Sequence, residues 1–153
     1  MDILVKDFIE ENIDLIEDNK WEEVYNNASE LPLSSREALT SILLEADIDP
    51  LNYLNYIPDF YLAGQDINSF NIPSHIKRIN KFAFYYCTSL TNVTIPDSVT
   101  SIGYVAFHSC YSLTSIKFNG TKAQWKAISK GSDWKCLVPA SCIVYCRNGK
   151  LKI

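Results

Sequence analysis

The spacing of apolar positions changes part-way along the chain. In the first half it is helical. Ile9, Ile13 and Ile16 recur at helical spacing with Phe8 and Leu15 beside them. Trp21, Val24, Tyr25 and Ala28 repeat the stripe at i, i+3, i+4 and i+7, and Leu39, Ile42, Leu43 and Ala46 form a third. These stripes predict one helix from an Asp2 N-cap to about Asn19 and a second over residues 21–28. A third should open on a capping box in Ser34-Ser35-Arg36-Glu37. Asp49-Pro50 supplies an N-cap and an N1 proline for a short helix through Tyr56, which Ile57-Pro58 should end.

In the second half the pattern becomes a repeat. Ile72-Pro73-Ser74-His75-Ile76 matches Ile95-Pro96-Asp97-Ser98-Val99 at an offset of 23 residues. The same offset relates Ile79 to Ile102, Ala83-Phe84 to Ala106-Phe107, Cys87 to Cys110, and Leu90 to Leu113. Val93-Thr94-Ile95 and Ile116-Lys117-Phe118 are short alternating strands, with Ile67, Phe70 and Ile72 expected to begin the same β-face. Pro96 lacks an N–H and should end its strand. Ala83-Phe84 and Ala106-Phe107 are expected on helical turns that pack Phe inward, with the Cys and Leu positions stacked in columns between repeats. Beyond Phe118 the pattern decays. One repeat cannot bury its own apolar face, so neighbours must cover it and both ends need caps.

The pattern I-P-x-x-[IV]-x-x-I-x-x-x-A-F-x-x-C-x-x-L-T, at Ile72–Thr91 and again at Ile95–Thr114, resembles the BspA-like leucine-rich repeats. The segment Phe118-Asn119-Gly120-Thr121-Lys122-Ala123-Gln124-Trp125-Lys126-Ala127-Ile128 is similar to the family's terminal segment. The resemblance implies an α+β fold: a short right-handed leucine-rich-repeat solenoid over residues 67–153, used for protein–protein contact. An acidic helical head, residues 1–66, would cap it. The combination of acidic head and few repeats also resembles phage and mobile-element proteins.

Charge sharpens this division. The chain of 153 residues carries a formal charge of −4. Residues 1–71 hold 16 acidic and 3 basic side chains, net −13, whereas residues 72–153 hold 2 and 11, net +9. Glu10, Glu11, Asp14, Glu17, Asp18, Glu22 and Glu23 crowd one stretch. They are a solvated helix face, a ligand surface imitating a phosphate backbone for a basic groove, or a patch that docks on the basic half. Lys122, Lys126 and Lys130 recur every four residues and should line one face of a helix containing Trp125, flanked by Lys117 and Lys135. That stripe lacks arginine, the residue of bidentate phosphate contact, so nucleic acid is disfavoured. Trp125 and Trp134 are expected as apolar plugs for the last repeat.

Outward strand positions are the other candidate surface: Asn71, Thr94 and Lys117, with Ser69, Asn92 and Ser115 on the next row. They are small and polar, with no aromatic anchor of the kind that dominates protein hot spots. Tyr85, Tyr86, Tyr104, His108 and Tyr111 lie around the turns, either packed between repeats or forming a partner patch.

Chemistry is sparse. The two histidines, His75 and His108, are expected at the surface and have no catalytic motif around them. Cys136, Cys142 and Cys146 lack the paired spacing of a zinc site, and the odd count of five cysteines fits reduced, packed thiols better than a disulfide framework. No cofactor or metal is expected. The start of the chain has no signal-like segment and no apolar run spans a membrane, so a cytoplasmic location is expected. The sequence therefore points to a non-enzymatic module that binds a protein partner through the acidic head and the repeat surface. The alternative is a small phage-encoded inhibitor of a bacterial defence protein, its acidic helices competing for a nucleic-acid-binding groove.

Overall fold

A computed structural model describes residues 3–153, and the Asp2 cap lies outside them. The chain divides into two compact units between Leu54 and Asn55.

The first unit is helical, and its first helix is broken. Helix α1 spans Ile3–Glu11 and α2 spans Ile13–Glu17. Asn12 separates them, with φ −112° and ψ 15°. It is buried; its Nδ2 donates to the Phe8 carbonyl at 2.8 Å, and its Oδ1 accepts from Asn27 Nδ2 at 2.7 Å. An asparagine that bonds sideways to another segment competes with helical continuation. The break also rotates the expected stripe. Val5, Phe8 and Ile16 are buried, Ile9 is half-buried and Ile13 is 42% exposed.

Helix α3, Trp21–Asn27, follows with Trp21 and Val24 buried, as its spacing predicts. Helix α4, Leu33–Glu45, starts after Pro32 and has no side-chain cap, so the expected capping box does not form. Arg36 reaches back from the first turn, donating through Nε to the Leu31 carbonyl at 2.9 Å and through Nη2 to the Ser29 carbonyl. Leu39 and Leu43 are buried on α4 as expected, but Ser35 and Thr40 join them and Ala46 is exposed. The Asp49-Pro50 signal holds: the Asp49 carboxylate accepts from Leu51 N at 2.9 Å. Its helix is a single 3₁₀ turn, Pro50–Asn52, which stops well short of Tyr56.

The second unit begins at Asn55, earlier than residue 67. Ile57-Pro58 does not end a helix. Tyr56-Ile57 is strand β1, the first rung of a ladder with β3 (Arg78–Ile79), β5 (Ser101–Ile102) and β7 (Ser129–Lys130). A second ladder runs β2 (Ser69–Asn71), β4 (Asn92–Ile95), β6 (Ser115–Phe118), β8 (Ile143–Cys146) and β9 (Gly149–Lys152). Every pairing is parallel except β8 with β9. Val93 faces Ile116 and Ile95 faces Phe118, so equivalent repeat positions are partners. The pattern does not end after Phe118: β7 and β8 continue both ladders, displaced in sequence by the inserted helix α5 (Lys122–Ala127).

Between the ladders lie turns rather than helices. Phe60, Phe82 and Val105 take left-handed φ of 60°, 60° and 46°, and Gly64, Tyr86 and Ser109 do so again four residues later. Left-handed φ in a β-branched residue such as Val105 costs about 1–2 kcal/mol. Hydrogen bonding to the neighbouring repeat offsets it. Phe82, Phe84 and Tyr86 donate N–H to the carbonyls of Tyr104, Ala106 and His108 at 3.0, 2.8 and 2.9 Å. Phe84 and Phe107 still point inward, as expected, and stack at 4.8 Å with planes 4° apart. Gly103 is required by close approach, since a Cβ there would sit 2.5 Å from the Lys81 nitrogen.

The column ends in aromatics. Trp134 meets Phe107 edge-on at 6.2 Å and Trp125 at 6.0 Å, and Trp125 meets Phe118 at 5.4 Å. Both tryptophans are buried, as the plug expectation requires. Helix α5 carries the one complete capping box among the described helices: Thr121 Oγ1 accepts from Gln124 N, and Gln124 Oε1 accepts from Thr121 N.

Candidate interaction surface

Residues alternate faces along a strand, so the five-stranded sheet presents one buried and one outward side. Val93, Ile95, Ile116, Phe118 and Val144 are buried. The outward side carries two rows fixed by register. One runs Asn71–Thr94–Lys117–Tyr145–Lys150, and the other Ser69–Asn92–Ser115–Ile143–Lys152. Asn71, Thr94 and Lys117 therefore do lie in one line, as the repeat predicts. The rows do not stop there. Tyr145 is 48% exposed between Lys117 and Lys150, and supplies the aromatic anchor that the earlier positions lack. Sequence reading missed Tyr145, Ile143, Lys150 and Lys152 because the inserted α5 breaks the repeat offset. The available signal was Asn148-Gly149 between two alternating segments, a hairpin mark.

The acidic candidates are all exposed, on three helices where the pattern predicts two. Glu10 and Glu11 end α1, Asp14 and Glu17 lie on α2 with Asp18 at its C-cap, and Glu22 and Glu23 open α3. The Asn12 break thus divides the first of the two helices expected to carry these carboxylates. Two of these carboxylates have nearby lysines: Glu10 lies 3.7 Å from Lys6 Nζ and Asp18 lies 3.2 Å from Lys20 Nζ, both pairs exposed. Glu22 and Glu23 sit in the first turn of a helix, where carboxylates favour the dipole.

The expected lysine stripe also divides. Lys122 and Lys126 lie on α5, but Lys130 belongs to β7 and turns inward. Its Nζ donates to the Trp125 and Ile128 carbonyls at 2.7 and 3.0 Å and lies 4.9 Å from the Trp125 ring centre. Burial lowers its pKa from the ordinary lysine value. It satisfies the last carbonyls of α5, leaving no three-lysine face for nucleic acid.

The turn side carries a connected aromatic group. Tyr86 meets Tyr111 at 6.2 Å, Tyr85 meets His108 at 5.5 Å, and Phe82 meets Tyr104 at 5.6 Å. Tyr86, Tyr104 and Tyr111 are about half exposed, whereas Tyr85 and His108 are half-buried. His108 is not a free surface residue, because its Nδ1 lies 2.7 Å from Ser109 Oγ.

The cysteines are unpaired thiols. Cys87 and Cys110 are buried and donate to the Leu62 and Phe84 carbonyls, one repeat apart, in the expected column. Burial pushes Cys87 up to about 12 and Cys142 to about 11. Such thiols are poor nucleophiles at neutral pH.

Parallel ladders of short strands stacked in register define a repeat protein. The family model described as "BspA type Leucine rich repeat region (6 copies)" matches residues 55–132, and the chain belongs to that family. Its match starts where the second unit starts. Among solved structures, a crystal structure of a leucine rich cell surface protein from Faecalibacterium prausnitzii A2-165 is similar, at 38% identity and a TM-score of 0.48. The match covers 49% of this chain and 20% of that one, so this chain aligns with only about a fifth of its length. Comparison with curated proteins gives no match. No helix among the described residues is long and apolar enough to cross a membrane.

Proposed function

We propose that the chain is a non-enzymatic protein-binding module. In this reading the repeats form a short right-handed solenoid, the acidic helices cap it, and both surfaces serve recognition. One observation carries it: parallel pairing holds two outward rows at fixed spacing on a scaffold whose buried side is continuous. A preorganised surface loses little entropy when a partner binds. Family membership supports the same use. Unpaired thiols suit the reducing cytoplasm.

Crosslinking of the purified chain in lysate of its native host tests this. A protein crosslinked to the strand rows or to the acidic helices is the expected product. Recovery of nucleic acid alone, or of nothing, defeats the reading.

A second reading draws on the exposed carboxylates of α1–α3: an inhibitor, phage-encoded, that occupies the nucleic-acid groove of a bacterial defence protein. Reversing Glu10, Asp14 and Glu17 to lysine should abolish inhibition while the fold persists. Inhibition that survives the reversal removes this mechanism.

A further inference from the structure

Resting on the protein-binding reading, we infer that the β6–β8–β9 end of the outward sheet face binds an extended acidic segment of a partner protein. Two of the segment's carboxylates engage Lys117 and Lys150, and an apolar side chain between them lies on the Tyr145 ring.

The face is not uniform. Its β2 and β4 positions are uncharged: Ser69, Asn71, Asn92 and Thr94. From β6 onward it becomes cationic, with Lys117, Lys150 and Lys152 and no outward carboxylate on β6, β8 or β9. Lysines on an edge strand guard against edge-to-edge pairing, which accounts for Lys150 and Lys152 on β9. It does not account for Lys117 or Tyr145, which lie on interior strands β6 and β8. An aromatic ring left 48% exposed in the middle of a sheet, with an ammonium on the strand to either side, is a composite site.

Spacing selects the ligand. Adjacent strands are about 4.8 Å apart, so Lys117 and Lys150, on strands flanking β8, are separated by roughly 10 Å at the backbone. A peptide extended in the polyproline II conformation advances about 3.1 Å per residue with three residues per turn, so carboxylates three residues apart share a face and span about that distance. The residues between them lie over Tyr145, with Ile143 beside it on the neighbouring row. Charge complementarity favours an acidic segment of the pattern Glu-x-x-Glu with an apolar interior. Single-stranded nucleic acid fits less well. Its grooves stack successive bases on several rings, and these outward rows hold one ring and no arginine.

The test uses the full chain and a fluorescent peptide repeating Glu-Leu-Phe-Glu, with its Gln-Leu-Phe-Gln counterpart and a short oligothymidylate as controls. Fluorescence anisotropy should show binding of the acidic peptide that weakens as salt rises. Lys117→Glu with Lys150→Glu together should weaken it by about tenfold or more, the combined effect of two lost charge pairs. Tyr145→Ala should weaken it, and Tyr145→Phe should restore it. Unchanged circular dichroism guards against misfolding, which is not expected at exposed positions. Equal binding of the glutamine peptide, binding indifferent to the lysine reversals, or tighter binding of the oligothymidylate each overturns the inference. If crosslinking then still finds a protein partner whose binding ignores Lys117 and Lys150, the protein-binding reading stands and only this site fails.

Discussion

Asn12 and Phe107 are both buried, and they hold their units together in opposite ways. Asn12 breaks a helix and bonds across to Asn27, so the helical unit is organised around particular polar contacts between short pieces. Phe107 stacks on Phe84 and sends its N–H to the Trp134 carbonyl, so the repeat unit is organised by the same contact made again at each rung. A repeat distributes its stability along nearest neighbours, whereas an irregular helical cluster concentrates it in individual contacts. The surfaces differ accordingly. With the boundary after Leu54, the first unit carries 14 acidic and 3 basic side chains, net −11, and the second 4 and 11, net +7. The acidic charge is spread over four helices and the segments around them, and part of the basic charge is set at fixed sheet positions.

The contrast can be broken by substitution. Phe107→Ala should cost about 3–5 kcal/mol, because it empties a site between two rings in a close-packed column. Urea unfolding followed by tryptophan fluorescence measures it, with Trp125 and Trp134 reporting on the repeat. Gly103→Ala should cost about 1–3 kcal/mol, since its Cβ would be driven into the backbone of the preceding repeat. A neutral result would mean the repeats separate more easily than their hydrogen bonds imply. Asn12→Ala should cost about 1–2 kcal/mol by leaving Asn27 without this partner. Its effect should appear in helical circular dichroism, with little change in the Trp125 and Trp134 environment.

A pH series sharpens the comparison further, because every cysteine lies in the repeat unit. Cys87 and Cys142 ionise near 9 when unfolded, but only at about 12 and about 11 when folded. Their raised folded values mean that stability is intact below pH 9 and falls as pH rises from there through the folded values, as the unfolded thiolates are favoured. At pH 8 a thiol reagent should label the half-buried Cys136 and Cys146 well before Cys87, Cys110 and Cys142. The smallest stability effect belongs to the acidic surface. Reversing Glu10, Asp14 and Glu17 should move the unfolding midpoint by less than about 0.5 kcal/mol equivalent, as exposed charges do.

The legible parts share a cause. Repeat positions such as Val93 and Ile116 were visible because one physical constraint, stacking in register, is imposed again at a fixed offset. The first repeat was not, because Ile57-Pro58 carries the strand signal without the later Ala-Phe and Cys positions in matching places. The capping box expected at Ser34 failed because the helix begins earlier, at Leu33 after Pro32, which places Ser34 inside the first turn and not at the N-cap. Lys130 read as a surface residue by spacing, but the helix ends before it and the open carbonyls of Trp125 and Ile128 draw its ammonium inward.

By itself the sequence determined the family, the columns of Ile, Cys, Leu and Phe, and the uneven charge, because periodicity and composition are properties of the chain alone. Tertiary structure decided where the repeats begin, how α5 is inserted without breaking either ladder, and which lysines remain outside. It also placed Tyr145 between Lys117 and Lys150. Those three residues are far apart or irregularly spaced in sequence, and only cross-strand register, a hydrogen-bonding relation between segments, brings them into one row.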